Sequence, residues 1–347
     1  MKILAGMDLG SESVELCVMG EGSKKILQRG RMSWAPGRWK SWVEKYGAEN
    51  LVVAFETGPE AHRAKALLDR WGVESYPFHA KSFGMIGRAK KKTDKIDSRK
   101  IVRALRGGAL PRRVILPEPP MARLRNLLSE RGLMQKMQSQ LRGRVQGLNR
   151  QWGTSIPAYD SVHRERWWEE AVKGFSARHQ RQMERLRLLA LAGFQVQEEL
   201  EEAIRAQVET WGMEAQAKRL QSLPGVGPVV AHALIAYLGD GLRFSSGRKF
   251  ASYLGLVPSV EQTGKTPARL GHITKDGPPA LRWLLVQAAQ AAVRGHQLDR
   301  TRWALWFQRL AQRRGRKIAV VALARKLALV SYAIVRDGTE WDPDRLR

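Results

Sequence analysis

The chain has 347 residues, 43% of them apolar, enough for two domains with separate cores. Its formal net charge of +27 and pI of about 10.8 point to a polyanionic partner and set aside an ordinary neutral surface. Cys17 is the only cysteine, which excludes an intrachain disulfide framework or a cysteine-based zinc site.

The charge is unevenly distributed. Residues 1–60 hold 8 Lys/Arg against 8 Asp/Glu, and residues 61–115 hold 15 against 4. Residues 116–217 hold 15 against 13, and residues 218–347 hold 22 against 8. Two basic regions therefore flank a near-neutral one. The N-terminal apolar stretch is short and interrupted by Asp8, unlike a signal peptide. The run Ile318 to Val335 is broken by Arg325 and Lys326, so no membrane span is expected and the chain reads as cytoplasmic.

Short apolar runs predict strands at the start of the chain, at 14–19, at 25–32, at 51–56 and at 73–78, with helices at 36–46 and 60–71. A further helix runs to about Arg106. This order of three consecutive strands, then strand–helix–strand–helix, is that of an α/β RNase H-like (RuvC-like) domain, expected over 1–116. Pro117-Glu118-Pro119-Pro120 marks a boundary. Beyond it, 117–217 reads as a long helical hairpin or coiled-coil arm for dimerisation. Residues 218–347 read as an all-α domain, with helices at 245–255, 278–294, 299–313 and 316–336. That domain opens on Leu223-Pro224-Gly225-Val226-Gly227-Pro228, a helix–hairpin–helix signature whose Gly225 and Gly227 would let backbone N–H groups approach a phosphate. An ordinary tight turn is the competing reading.

Four carboxylates carry the chemistry. Asp8 and Glu56 end apolar runs; Asp94 and Asp97 are three apart, on one face of a helix. Two strand-end carboxylates and a helical pair can converge, and in so basic a chain they would hold Mg²⁺ against a phosphodiester. Thr93-Asp94 also suits a plain helix cap. Arg88, Lys90, Lys91 and Lys92 precede the acidic pair and would hold phosphates. Arg248, Lys249, Lys265, Arg269, Lys275 and Arg282 would do so in the last domain, with Arg313, Arg314, Arg316 and Lys317 as a further clamp. Trp167 and Trp168 suit core packing or stacking on bases. His62, His79, His163 and His272 have no zinc-ligand spacing.

Three N-terminal stretches, Gly6-Met7-Asp8-Leu9-Gly10, Phe55-Glu56-Thr57-Gly58 and Lys92-Thr93-Asp94-Lys95-Ile96-Asp97-Ser98-Arg99-Lys100, resemble the IS110 insertion-sequence transposases. So do Ser222 to Gly227, Arg243-Phe244-Ser245-Ser246, Tyr253-Leu254-Gly255-Leu256-Val257-Pro258, Gly271 to Gly277 and Leu281-Arg282. The resemblance covers nearly the whole length. It implies a DEDD site of Asp8, Glu56, Asp94 and Asp97. It also implies a hydroxyl nucleophile supplied by another subunit, a covalent 5′-phosphoprotein intermediate, and a structured guide RNA that pairs with donor and target DNA. A homodimer or homotetramer follows from a site shared between subunits.

One position departs from that family. Its nucleophile is usually Ser followed by Gly, five residues past the proline of the Gly-Leu-x-Pro box. Counting from Pro258 reaches Thr263-Gly264. Three readings stand: Thr263 is the nucleophile, a serine has been replaced or strand transfer lost, or a neighbour such as Ser259 takes the role. Thr263-Gly264-Lys265-Thr266 looks like the end of a P-loop but lacks its first glycine, with Ser259 in that place, and no buried strand leads into it. The rival functions are a junction-resolving nuclease of the RuvC type, which uses water, and a non-catalytic, domesticated RNA- or DNA-binding relative.

Overall fold

The computed structural model describes residues 2–79, 94–153, 168–169, 172–173, 175–261, 269–299 and 301–343; for 94–97, 261, 269 and 270 the description is of the backbone. The chain forms two compact units, Met1–Pro117 and Glu118–Arg347.

The first unit is a five-stranded sheet with helices on its faces. Its strands are β1 (Ile3–Leu9), β2 (Ser13–Gly20), β3 (Ile26–Ser33), β4 (Leu51–Glu56) and β5 (Glu74–Phe78). The order is β3-β2-β1-β4-β5. The first three form an antiparallel meander, and β4 and β5 add in parallel to β1. Near-continuous apolar runs in β1, β2 and β4 suit strands covered on both sides. One face carries Ala5, Met7, Val53 and Phe55, which share a core with residues of α1 (Pro36–Tyr46) and α2 (Ala61–Arg70), among them Trp39 and Leu68. The other face carries Leu4, Cys17, Met19 and Val52 and is covered by α3 (Asp94–Arg106) through Val102 and Leu105. Chain reversals use left-handed glycine where it is needed: Gly47 (φ 77°) ends α1, and Gly72 (φ 69°) follows α2.

Among its described residues the second unit is helical apart from one hairpin, so the all-α expectation is corrected there. Its helices are α4 (Pro119–Gln151), α5 (Ala177–Thr210), α6 (Glu214–Leu220), α7 (Pro228–Leu238), α8 (Gly247–Tyr253), α9 (Pro279–Arg294), α10 (Arg302–Arg314) and α11 (Arg316–Asp337). Between α8 and α9 run two antiparallel strands, β6 (Pro258–Glu261) and β7 (Arg269–Ile273). Pro119 in the first turn of α4 has no N–H to leave unpaired and stops the preceding segment from being helical.

α4 and α5 pair as a hairpin about 50 Å long. The Arg131 guanidinium meets Glu201 at 2.7 Å, and the Gln138 side-chain amide donates to the Ala190 carbonyl at 3.0 Å. At the feet of this arm, Leu124 of α4 and Ile204 and Val208 of α5 sit inside the C-terminal core. Its far end has a small core of its own, built on Val145, Leu148, Phe175 and Met183. The middle of the arm leaves Leu133, Met137, Leu188 and Leu189 exposed. α11 is long and apolar enough to cross a membrane by length and composition alone, but it forms the centre of this unit, with Leu323, Ala324, Leu327 and Ala328 fully buried.

Candidate nucleic-acid processing site

Strand register places the N-terminal carboxylates. β1 and β4 run parallel with Met7 opposite Phe55, so the next step brings Asp8 level with Glu56 on the neighbouring strand. Strand side chains alternate between faces. Asp8 therefore shares the face of Leu4 and Gly6, and Glu56 that of Val52 and Ala54, which is the face α3 covers. Adjacent strands lie about 4.8 Å apart, close enough for two carboxylates to share one cation. Both residues are half-buried.

Gly6 is the reason α3 can lie so close. A Cβ there would collide with the Ser98 carbonyl and the Val102 amide nitrogen, so α3 rests directly on the β1 backbone. Leu4 packs with Val102 and Gly6 faces Ser98, so helix numbers fall as strand numbers rise. The start of α3, where the backbone carries Asp94 and Asp97, thus lies toward the strand ends bearing Asp8 and Glu56. The side chains of Asp94 and Asp97 are outside the described residues. Among the described residues, no group of three His, Cys, Asp or Glu is gathered to hold a metal ion.

The strand ends are held in place locally. The Trp34 indole N–H donates to the Gly10 carbonyl at 2.9 Å, just past Asp8, and Trp34 stacks on Trp39 with Arg63 over its ring. The Thr57 amide, just past Glu56, donates to the Phe78 carbonyl at 2.8 Å.

Sequence reasoning missed one carboxylate here. Glu15 pairs directly with Asp8 across the antiparallel β1–β2 register, on the same face, and only 6% of it is exposed. Its carboxylate accepts from the Arg31 Nε–H at 2.9 Å. The signal lay in the turn around residues 10–12, which fixes the hairpin register and so the partner of Asp8.

In the second unit, the strands flanking Thr263 are anchored by interlocked turns. Gly255 (φ 66°), Lys275 (φ 58°) and Gly277 (φ 73°) are all left-handed. A Cβ on Gly255 would strike the Asp276 backbone, and one on Gly277 the Tyr253 carbonyl. The Lys275 amide donates to the Gly255 carbonyl at 3.2 Å, and the Thr274 amide to the Val257 carbonyl at 2.9 Å. Arg282, expected on phosphate, instead clamps this base: its guanidinium donates to the Leu254 and Asp276 carbonyls, both at 2.9 Å. Ser259 packs against Gly271 in the hairpin stem. Thr263 and Lys265 lie outside the described residues, as do Arg88, Lys90, Lys91 and Lys92; of Arg269 only the backbone is described, in β7.

The glycine turn before α7 needs a correction. Gly225 (φ 76°) has no room for a Cβ because the Ala288 carbonyl and Ala292 amide of α9 press on it, and its own N–H donates to the Gln297 side chain. That N–H is taken inside the chain. Gly227 has open space beside it and caps α7 without a side-chain partner. Arg248 and Lys249 are exposed at the start of α8, where the Ser246 hydroxyl accepts from the Lys249 amide. Lys275 is exposed beside the hairpin base. Arg313, Arg314, Arg316 and Lys317 flank Gly315 (φ 88°) on exposed turns of α10 and α11.

A mixed α/β sheet unit with acidic strand ends is followed by a basic helical unit. Residues 217–304 match the family described as Transposase IS116/IS110/IS902. Over 144 residues the chain is 40% identical to a Pseudomonas aeruginosa protein named as a family 20 transposase, covering 42% of this chain and 41% of that one. Over 312 residues it is 30% identical to a Sinorhizobium fredii protein named as transposase y4rJ, covering 83% and 77%. It is also 30% identical over 128 residues to the pilin gene-inverting protein of Moraxella lacunata, covering 37% and 39%. The chain thus spans about two fifths of the Pseudomonas and Moraxella relatives' own lengths and over three quarters of the Sinorhizobium one. The chain belongs to the IS116/IS110/IS902 transposase family.

Proposed function

We propose that this chain is a transposase that cuts and rejoins the DNA of an insertion sequence, and that its first unit is an RNase H-like, RuvC-like catalytic domain. The observation that carries this reading is the register that puts Asp8 and Glu56 side by side on the face covered by α3. With Asp94 and Asp97 they would make a hard, all-oxygen donor set of the kind that suits Mg²⁺. Bound there, Mg²⁺ supplies charge neutralisation at the scissile phosphate and its departing oxygen.

The chain's own residues do the rest. The Thr263 hydroxyl of a second subunit attacks phosphorus, a P–O bond to it forms, and the P–O3′ bond breaks. The hydroxyl proton ends on the released 3′-oxygen, which leaves a 5′-phosphoprotein and a free 3′-OH. Exposed Arg248, Lys249 and Lys275 would fix the DNA backbone, with Lys265, Arg269 and Arg88 to Lys92 completing the grip. Gly227 at the start of α7 keeps the helix–hairpin–helix role that Gly225 does not. The exposed apolar middle of the α4–α5 arm would pair subunits as a dimer or tetramer. The inversion activity in the name of the Moraxella relative supports recombination over simple cleavage. The net charge of +27 is compatible with a structured guide RNA beside donor and target DNA.

The test incubates the protein with Mg²⁺, RNA from the element's non-coding end and labelled donor DNA, then resolves products on a denaturing gel. A labelled protein–DNA adduct, absent for Thr263→Ala and for Asp8→Asn, is the expected result. Cleaved DNA without adduct would show a nuclease that uses water. An adduct that persists in Thr263→Ala would move the nucleophile elsewhere, and Ser259→Ala would be next. Binding without either product would leave a non-catalytic relative.

A further inference from the structure

We infer that the face shared by β3 and α3 carries a strip of arginines, Arg31, Arg29, Arg99 and Arg103, that holds the phosphodiester backbone of a nucleic-acid strand beside the carboxylate site. The inference rests on the catalytic reading of Asp8 and Glu56 for what the strand leads to, but not for the binding itself.

The strip follows from register. β3 is the edge strand of the sheet, and Arg31 pairs with Glu15 while Arg29 pairs with Cys17. Paired residues share a face, and Cys17 lies in the small core that α3 closes with Val102. Arg29 and Arg31 therefore stand on the α3 side. Arg99 and Arg103, one turn apart, come to the same place from the helix. Arg29, Arg99 and Arg103 all act electrostatically on the one buried Cys17 sulfur, opposing the burial that pushes its pKa up. The three arginines thus bring positive charge to one region of this face.

The geometry suits an extended polyanion. Arg31 is level with Glu15, which is itself level with Asp8, so one end of the strip is in the carboxylate row. Arg29 follows two residues away, about 6.7 Å along the strand. Arg31 is oriented by Glu15 through its Nε–H while its side chain stays 65% exposed, which aims the remaining N–H fork outward. Arg29 and Arg103 are exposed, and the Arg99 Nε is buried with no hydrogen-bond partner among the described residues. Residues 1–60 are neutral as a sequence, but the fold sorts their charges and adds α3 cations to the β3 pair.

The experiment titrates the full chain, without Mg²⁺, into labelled single-stranded DNA and separately into RNA, at a series of salt concentrations. On a single strand, removing one cation that neutralises a phosphate lowers the slope of log affinity against log salt by about 0.7. Arg29→Gln and Arg103→Gln are expected to lower it by about 0.7 each, and the double variant by about 1.4. Arg29→Lys should keep the slope, and Arg205→Gln, on the exposed surface of α5, should not change it. Thermal melting of each variant checks that the sheet is intact. A drop with DNA alone identifies a substrate strand, and a drop with RNA alone a guide strand. Unchanged slopes on both nucleic acids in folded variants would overturn the strip. If the wild type fails to cleave while the slopes still fall, the recombinase reading fails and the strip stands.

Discussion

In the first unit, Asp8 and Glu56 come together because two regular strands are in parallel register and one glycine lets a helix lie flat on them. In the second, the strands flanking Thr263 are held by three left-handed residues, two backbone approaches too close for any Cβ, and one arginine bridging carbonyls. Regular pairing tolerates small adjustments along the sheet. Interlocked turns do not, because each depends on a backbone conformation that L-residues with side chains resist.

That difference predicts unequal costs for the same substitution. Gly277→Ala places a Cβ against the Tyr253 carbonyl and also forces alanine to φ 73°. Overpacking costs ~1–3 kcal/mol and left-handed alanine adds ~1–2, so a loss of about 3–4 kcal/mol is expected in denaturant unfolding. Gly6→Ala meets only the collision with Ser98 and Val102, at an ordinary φ, and should cost ~1–3 kcal/mol. Its larger consequence should be on cleavage, since α3 must retreat from β1 and take Asp94 and Asp97 with it. Equal losses of stability at both sites would remove the distinction between the units. Full cleavage by a folded Gly6→Ala protein would detach the close approach of α3 from the site.

Arg282→Ala is the next test. It deprives the Leu254 and Asp276 carbonyls of their shared donor, at ~1–3 kcal/mol. A clamp on the hairpin base predicts that adduct formation falls while the salt slope for DNA binding stays as in the wild type. A slope lower by about 1 would return Arg282 to the phosphate-binding role its sequence suggests.

The same contrast explains what could be read in advance. The strands at 14–19, 51–56 and 73–78 were legible as short apolar runs, which burial on both faces produces, and the helices at 36–46 and 278–294 by the 3.6-residue period that burial of one face imprints. That Asp8 and Glu56 stand near strand ends was legible because both end apolar runs; that the two strands are neighbours came from the register. Glu15 was not, since its meaning depends on which residue it faces, and that is set by a turn. The β6–β7 pair was also hidden: four or five residues of Pro-Ser-Val-Glu and Arg-Leu-Gly-His-Ile carry too little alternation to stand out against the surrounding helices. Gly225 shows the limit of motif reasoning. The sequence Pro-Gly-Val-Gly-Pro announces a glycine-dependent turn, but whether the glycine admits a phosphate or a neighbouring helix is decided by Ala288 and Ala292, more than sixty residues away.

The smallest effect should come from His232, which separates the C-terminal core from the sheet unit by its pH dependence. It lies in α7, 8% exposed, and burial lowers its pKa below the ordinary histidine value, with Arg205 pushing the same way. In the folded chain it therefore resists protonation that the unfolded chain accepts below a pH of about 6.5. The unfolded state then binds more protons, so stability falls as the pH drops through that value and is unaffected above it. Unfolding of wild type and His232→Gln compared between pH 5 and 8 should show a shallower acid-side decline in the variant, whatever its stability at pH 8. Parallel curves would mean that His232 titrates alike in both states and that its burial is relieved in solution.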